Sequence, residues 1–323
     1  MSTPISPCVK CGDPGSKRCS RCWDAPEYRP GDANPTRYCS TECQKADWVA
    51  HKSHCTTLSR RTKLLRAATI LRAALLAYRE RFFDIPLSKI ELGKDGAVLY
   101  LYRDVSPRPF PNGLTHDSKH KEAALTHNMC TLAFAMLGPL TRKLLAGVAS
   151  SIESLDLQIE KPVFRTHLVE YLADGIDSNG GPHTVLIVRL HNNEAWIIDT
   201  AGTQYGFKEV LVPFERYIKD RASSNFVNGP PTKYTACETT DLDFMKEFFP
   251  DYPKAGLDIL EKEKKARLHF ARFVENRVGV RKGRDLKDSV FDPSKDFGGS
   301  KEEFDTKFGE LMKEMKRHLE GFK

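Results

Sequence analysis

Eight metal-binding side chains fall into four regularly spaced pairs within the first fifty-five residues. Cys8-x2-Cys11 is followed after seven residues by Cys19-x2-Cys22, after sixteen more by Cys39-x3-Cys43, and after seven by His51-x3-Cys55. Eight ligands are the number needed to close two four-coordinate zinc sites. A C-x2-C turn aims both sulfurs at one ion, and i,i+4 spacing puts Cys39 with Cys43, and His51 with Cys55, on one helix face. Thr41 and Gln44 have capping-box spacing and predict a helix start between the third pair of ligands. Spacing alone allows the pairs to be used in sequence or interleaved. With every position filled by protein, neither ion has room for substrate, so both are read as structural. Seven of the nine cysteines lie in this segment. The start of the chain, MSTPISPCVK, shows no secretory signal, which predicts a reducing cytoplasmic or nuclear setting where clustered thiols bind metal.

The pattern CxxC…CxxC…YCSxxCQxxxWxxHKxxC resembles the MYND zinc finger, with Tyr38, Ser40, Gln44, Trp48 and Lys52 matching beyond the ligands. The resemblance implies interleaved coordination: Cys8, Cys11, Cys39 and Cys43 on one zinc, and Cys19, Cys22, His51 and Cys55 on the other. It also implies binding of short proline-containing partner peptides, with Gln44 and Trp48 lining the groove. Alternatively, Trp48 covers the small zinc core. The sixteen residues 23–38 between the second and third pairs are longer than the family pattern, and their Pro and Gly content predicts a loop. Some MYND proteins carry a SET methyltransferase domain, but neither a glycine-rich half-motif before the finger nor a GEE- or NHSxxPN-type segment after it is present.

Residues 56–83 read as one connecting helix whose apolar stripe includes Leu64, Leu71 and Leu75, with arginines on the other face and Pro86 as its stop. Strands are predicted over 97–103 and 163–172. From Met129 to Leu137 nearly every residue is apolar, which predicts a helix buried on all sides and capped by Asn128 or Thr126. GGPHTVLIVRLHNNEAWIIDTAGTQYGF reads as strand, Asn-containing turn and strand, giving a buried helix against a hairpin.

Within that unit, Cys130 starts the helix, His183 opens the first hairpin strand and Asp199 closes the second. The chain order resembles papain-like and transglutaminase-like enzymes, in which the histidine activates the thiol and the acid orients the imidazole. No glutamine shortly precedes Cys130 to supply an oxyanion donor. A turn centred on Asn192-Asn193 pairs His183 with Gly202 and turns Asp199 to the opposite face. A turn centred on His191 sets the two directly across from each other. The competing reading makes Cys130 a small buried hydrophobe, His183 a loop residue and Asp199 a turn-former. Cys237 has no comparable partners and is read as structural.

The stretch HTVLIV…WIIDTAGTQYGF also resembles the second region of a group of fungal proteins that begin with a MYND finger, implying a shared fold over 60–215. Towards the C-terminus, Leu257, Leu260, Phe270, Phe273 and Val274 form an interrupted apolar face. Ser300 and Glu303 form a capping box opening a last helix with Phe304, Phe308, Leu311, Met315, Leu319 and Phe322 along one side. The resulting expectation is an α+β chain: a two-zinc finger over 1–57, a connecting helix over 58–84, an α+β domain over 85–250 and a helical region over 251–323. A net charge of +7 over 323 residues is mild, and the aromatic-plus-basic pattern of single-strand nucleic-acid binders is absent. No stretch is apolar and long enough to cross a bilayer. Two functions stay open: a zinc-binding adaptor recruiting a partner peptide, and a cysteine hydrolase or acyl transferase using Cys130, His183 and Asp199.

Overall fold

A computed structural model describes residues 6–22, 24–104, 110, 112–169, 181–235, 237–248, 254–279 and 290–323. The strands are β1 (Lys17–Arg18), β2 (Arg37–Tyr38), β3 (Leu87–Leu92), β4 (Val98–Arg103), β5 (Ala149–Ile159), β6 (Arg165–Val169), β7 (His183–Leu190), β8 (Ala195–Ile198), β9 (Leu211–Pro213), β10 (Ala222–Phe226) and β11 (Thr232–Lys233). The helices are α1 (Thr41–Arg81), α2 (Ser118–Leu125), α3 (Cys130–Met136), α4 (Gly138–Leu145), α5 (Phe214–Arg221), α6 (Thr240–Phe248), α7 (Lys254–Arg277), α8 (Pro293–Asp296) and α9 (Lys301–Glu320). The fold is α+β. An antiparallel sheet runs β10-β5-β7-β8-β9, with β11 also on β5; a smaller sheet, β3-β4-β6, contains one parallel pair.

The last finger helix and the connector are a single helix, α1, 41 residues long. Its N-cap is Ser40, whose hydroxyl accepts from Cys43 N, one residue before the capping position expected at Thr41. The helix runs on without interruption because His51, Cys55 and Leu58 are buried towards the finger while Leu64 to Tyr78 continue into the main core. Arginines expected on an outer face are inside: Arg61, Arg66 and Arg79 are all buried. Periodicity cannot anticipate this, because each guanidinium finds polar partners on another segment.

Strand alternation divides the large sheet. Leu186, Val188 and Trp196 face a core built with α1, α3, α4, α7 and α9. Val185, Ile187 and Ile197 face a second core closed by Tyr217 of α5. Helix α3 is shorter and less enclosed than its apolar run suggests. Thr131 is exposed, Cys130, Leu132 and Phe134 are half-buried, and the N-cap is Met129 without a side-chain bond. Thr126 instead caps the end of α2, and Asn128 takes φ +53° in the tight link between the two helices. The strand expected over 163–172 is found as Arg165–Val169; residues 170–172 lie outside the described residues. The capping box of Ser300 with Glu303 is present, and Phe304, Leu311, Met315 and Leu319 pack on the chain's own core.

Candidate active site and zinc centres

In the finger, the ligand atoms of Cys8, Cys11, Cys39 and Cys43 lie within 4.8 Å of one another, as do those of Cys19, Cys22, His51 and Cys55. The grouping is interleaved. Cys11 Sγ lies 3.4 Å from Cys39 Sγ and 3.8 Å from Cys43 Sγ, and Cys19 Sγ lies 3.6 Å from Cys55 Sγ. Tetrahedral zinc with bonds of about 2.3 Å sets its sulfurs about 3.8 Å apart, so both clusters fit the ion. Cys22 Sγ is 3.6 Å from His51 Nε2, while His51 Nδ1 lies 3.1 Å from Thr36 Oγ1. A proton on Nδ1, donated to that hydroxyl, leaves the Nε2 lone pair for metal. Residues 8–55 match the family model of the MYND finger. Residues 8–55 are a MYND finger. MYND fingers are zinc-binding protein-interaction modules, and the two clusters here, one all cysteine and the other three cysteines with a histidine, fit two zinc ions. No curated protein and no solved structure matches this chain.

Trp48 sits on the outer side of α1 beside the MYND zinc cluster, 36 % exposed, its ring edge-on to His51 at 6.3 Å between centroids. Gln44 lies one turn earlier and is half-buried. The segment 24–36, ahead of β2, docks the MYND finger on the second domain. Tyr28 packs against Trp196 at 5.3 Å, and Asp32 accepts from the backbone N–H groups of Tyr28 and Arg29. Arg61 joins the two parts, with Nη1 2.8 Å from Asp32 Oδ1 and Nη2 2.6 Å from Glu194 Oε1.

The second constellation lies at one end of the β7–β8 hairpin. The turn follows neither expected register. Leu190 and Glu194 close a three-residue loop, His191-Asn192-Asn193, with Asn193 at φ +65°. The ladder pairs Leu186 with Ile198, so one step further Asp199 is level with Val185 and diagonal to His183, on the same face. His183 Nε2 is 2.9 Å from Asp199 Oδ1, and both residues are buried, at 0 % and 2 % exposure. Tyr217 of α5 donates its hydroxyl to Asp199 Oδ2 at 2.7 Å. Gly202 makes room for this carboxylate, since a Cβ there would come within 2.3 Å of Asp199 Oδ2.

Cys130 is half-buried at the start of α3, which packs on β7, and its Sγ is 3.9 Å from Pro182 O. Burial works against its thiolate, but a side-chain hydrogen bond and the charge of His183 outweigh it and hold the thiol below its usual range. Burial likewise disfavours the imidazolium, yet the Asp199 carboxylate and Cys130 raise His183 to about 10. Asp199 is held low despite its burial, chiefly by the charge and hydrogen bond of His183.

Tyr217, Gly202 and Gln204 were not visible as site residues in the sequence. Gln204, 1 % exposed, accepts from Asn128 N at 3.0 Å through Oε1 and brings Nε2 to 3.4 Å from His183 Nδ1. The Asn128 N–H thus fixes which end of the carboxamide faces the imidazole. Gln204 follows Asp199 in the chain, in the 3-10 turn Gly202–Tyr205. Cys237 differs from the structural residue expected. It is exposed, and a hydrogen bond with Thr240 Oγ1 at 3.1 Å lowers its pKa, with burial opposing. Among the described residues, no helix is long and apolar enough to cross a membrane.

Proposed function

We propose that the chain is a cysteine-dependent acyl-transfer enzyme, a hydrolase or acyl transferase, whose MYND finger recruits a protein substrate. The observation that carries this reading is the buried His183–Asp199 contact beside a thiol held low by the same imidazole. An ordinary core rarely buries an ionisable pair next to a cysteine, because desolvation must be offset by each partner. In the proposed reaction the Cys130 thiolate attacks an acyl carbonyl carbon. The resulting tetrahedral oxyanion collapses to a thioester as the bond to the leaving group breaks and His183 gives it a proton. Water or an amine then attacks the thioester, His183 takes its proton, and the thiolate is released. Asp199 keeps the imidazole oriented, Tyr217 steadies Asp199, and Gln204 supplies the nearby amide donor for the oxyanion.

The finger's part is recruitment. Trp48 and Gln44 would form the wall for a proline-containing peptide, and Arg61 would hold that wall in fixed relation to the thiol. Zinc thiolates and a free catalytic cysteine both suit a reducing compartment, the cytoplasm or nucleus.

An activated acetyl ester tests the chemistry. Intact-mass analysis should show one hydroxylamine-labile acetyl group on Cys130 in a Cys237→Ser background. It should be lost in Cys130→Ser and form far more slowly in His183→Ala. Acetylation at equal rates with and without His183 would leave the adaptor reading, with no catalytic thiol.

A further inference from the structure

Among the described residues, five arginines are buried, and four of them meet a carboxylate. Arg61 meets Asp32 and Glu194, Arg79 meets Asp84, Arg221 meets Glu209, and Arg267 meets Asp241 and Glu263. Arg66, in the middle of α1, is the exception. At 9 % exposure its Nη1 donates to the carbonyls of Phe297 and Gly299, at 3.0 and 2.8 Å, and its guanidinium lies 4.8 Å above the Phe304 ring. Burial lowers its pKa, and Asp305, Asp24 and Glu303 act on it only through longer-range charge. A buried guanidinium without a carboxylate retains unused charge and donors.

Arg66 lines a cavity of about 620 Å³ between the MYND finger, α1 and the turn joining α8 to α9. Arg18 and Arg37 line the same cavity and stand directly opposite each other in the β1–β2 pair. Arg21 adds a fourth guanidinium to the lining, against the carboxylates of Asp24 and Glu302, while Lys301 is taken up by its ion pair with Asp305. The N-terminus of α9 adds little, since Ser300 and Glu303 already cap it.

We infer that this cavity is a binding site for a phosphate group, held by Arg66, Arg37 and Arg18. A phosphate monoester carries a charge of about −1.5 to −2 and three acceptor oxygens, matching several guanidinium forks better than one carboxylate does. The volume exceeds that of a lone ion and falls within the range of ligand pockets. The phosphate belongs either to a small molecule or to a phosphorylated residue of the protein held by the finger, and the chemistry is the same for both. The site is separate from Cys130 and does not depend on its reactivity.

Isothermal titration of the full-length, zinc-loaded protein with inorganic phosphate, against chloride at equal ionic strength, tests the site. Saturable binding specific to phosphate is expected, weakened about tenfold by Arg37→Ala, which removes one charged contact. Arg66→Lys should weaken it comparably, because an ammonium lacks the bidentate fork. Arg37→Ala is the variant that keeps the test decisive should Arg66→Lys fold poorly. Zinc content should stay at two ions throughout. A phosphoserine peptide binding at least tenfold tighter than inorganic phosphate would assign the phosphate to a partner protein; equal or weaker binding would assign it to a small molecule. No phosphate binding beyond that of chloride, or binding indifferent to Arg37→Ala, would overturn the site.

Discussion

His183 and Asp199 meet on a diagonal of the β7–β8 ladder, 2.9 Å apart, on the sheet face covered by Tyr217. The odd-length turn makes this possible. A two-residue turn would have sent Asp199 to the opposite face, where α1 and α4 pack.

The shift directions of the pair set a pH window. His183 has a folded pKa raised from 6.5 to about 10, so its contribution to stability is full below about 6.5 and fades as pH climbs through 10. Asp199 has a folded pKa lowered from 3.8, so its contribution is full above that value and fades as pH falls through the folded value. Asp199→Asn should therefore destabilise most between about pH 4 and 6.5, and the difference should shrink towards pH 10. Urea denaturation across that range measures it; a flat difference would mean the two residues are not coupled.

Arg61 should prove the most costly single truncation at the junction of finger and domain. Arg61→Ala leaves Glu194 buried beside Trp196 and releases Asp32, an expected loss of about 3–5 kcal/mol. Glu194→Gln should cost less, since the amide oxygen still accepts from Arg61, which keeps Asp32, although the Trp196 indole N–H loses its acceptor. Equal and small losses, read from denaturant midpoints, would show that the contact does not anchor the finger.

Zinc removal should be felt beyond the MYND finger because α1 is continuous. Metal analysis should return two zinc ions, and Cys39→Ser should unfold the finger while the domain over 85–250 stays folded with a lower melting temperature. One ion, or a domain transition unmoved by chelation, would contradict the coupling through α1.

The legible parts of this chain were the local ones. Ligand spacing within a few residues fixed the finger's elements, and the Ser300 capping box marked the start of α9. Cys130, His183 and Asp199 stood out by type and position, but their mutual geometry hung on one residue of turn length, and both Asn192 and Asn193 tolerate positive φ. The buried arginines of α1 were misread because hydrophobic periodicity counts any guanidinium as outward. Loop 23–38 looked like an insertion; Tyr28 and Asp32 acquire their role only when Trp196 and Arg61 arrive from elsewhere in the sequence. Gln204 and Tyr217 carried no local signal.

Trp48→Ala should abolish capture of proline-containing partner peptides while leaving the zinc content at two, because the ring is partly exposed and contributes to the core mainly through its edge on His51. Loss of zinc in this variant would make the ring a cover for the metal site; unchanged capture would put the groove elsewhere.

The reactivity of the Cys130 thiol as a function of pH is the most direct measurement. In a Cys237→Ser background with the zinc sites loaded, iodoacetamide should alkylate Cys130 at mildly acidic pH, well below the usual thiol value of about 8.5. His183→Ala should shift that profile back towards ordinary thiol behaviour, and Asp199→Asn should shift it part of the way. A Cys130 that reacts only after denaturant is added, with a profile indifferent to His183→Ala, would contradict a catalytic thiol in this fold.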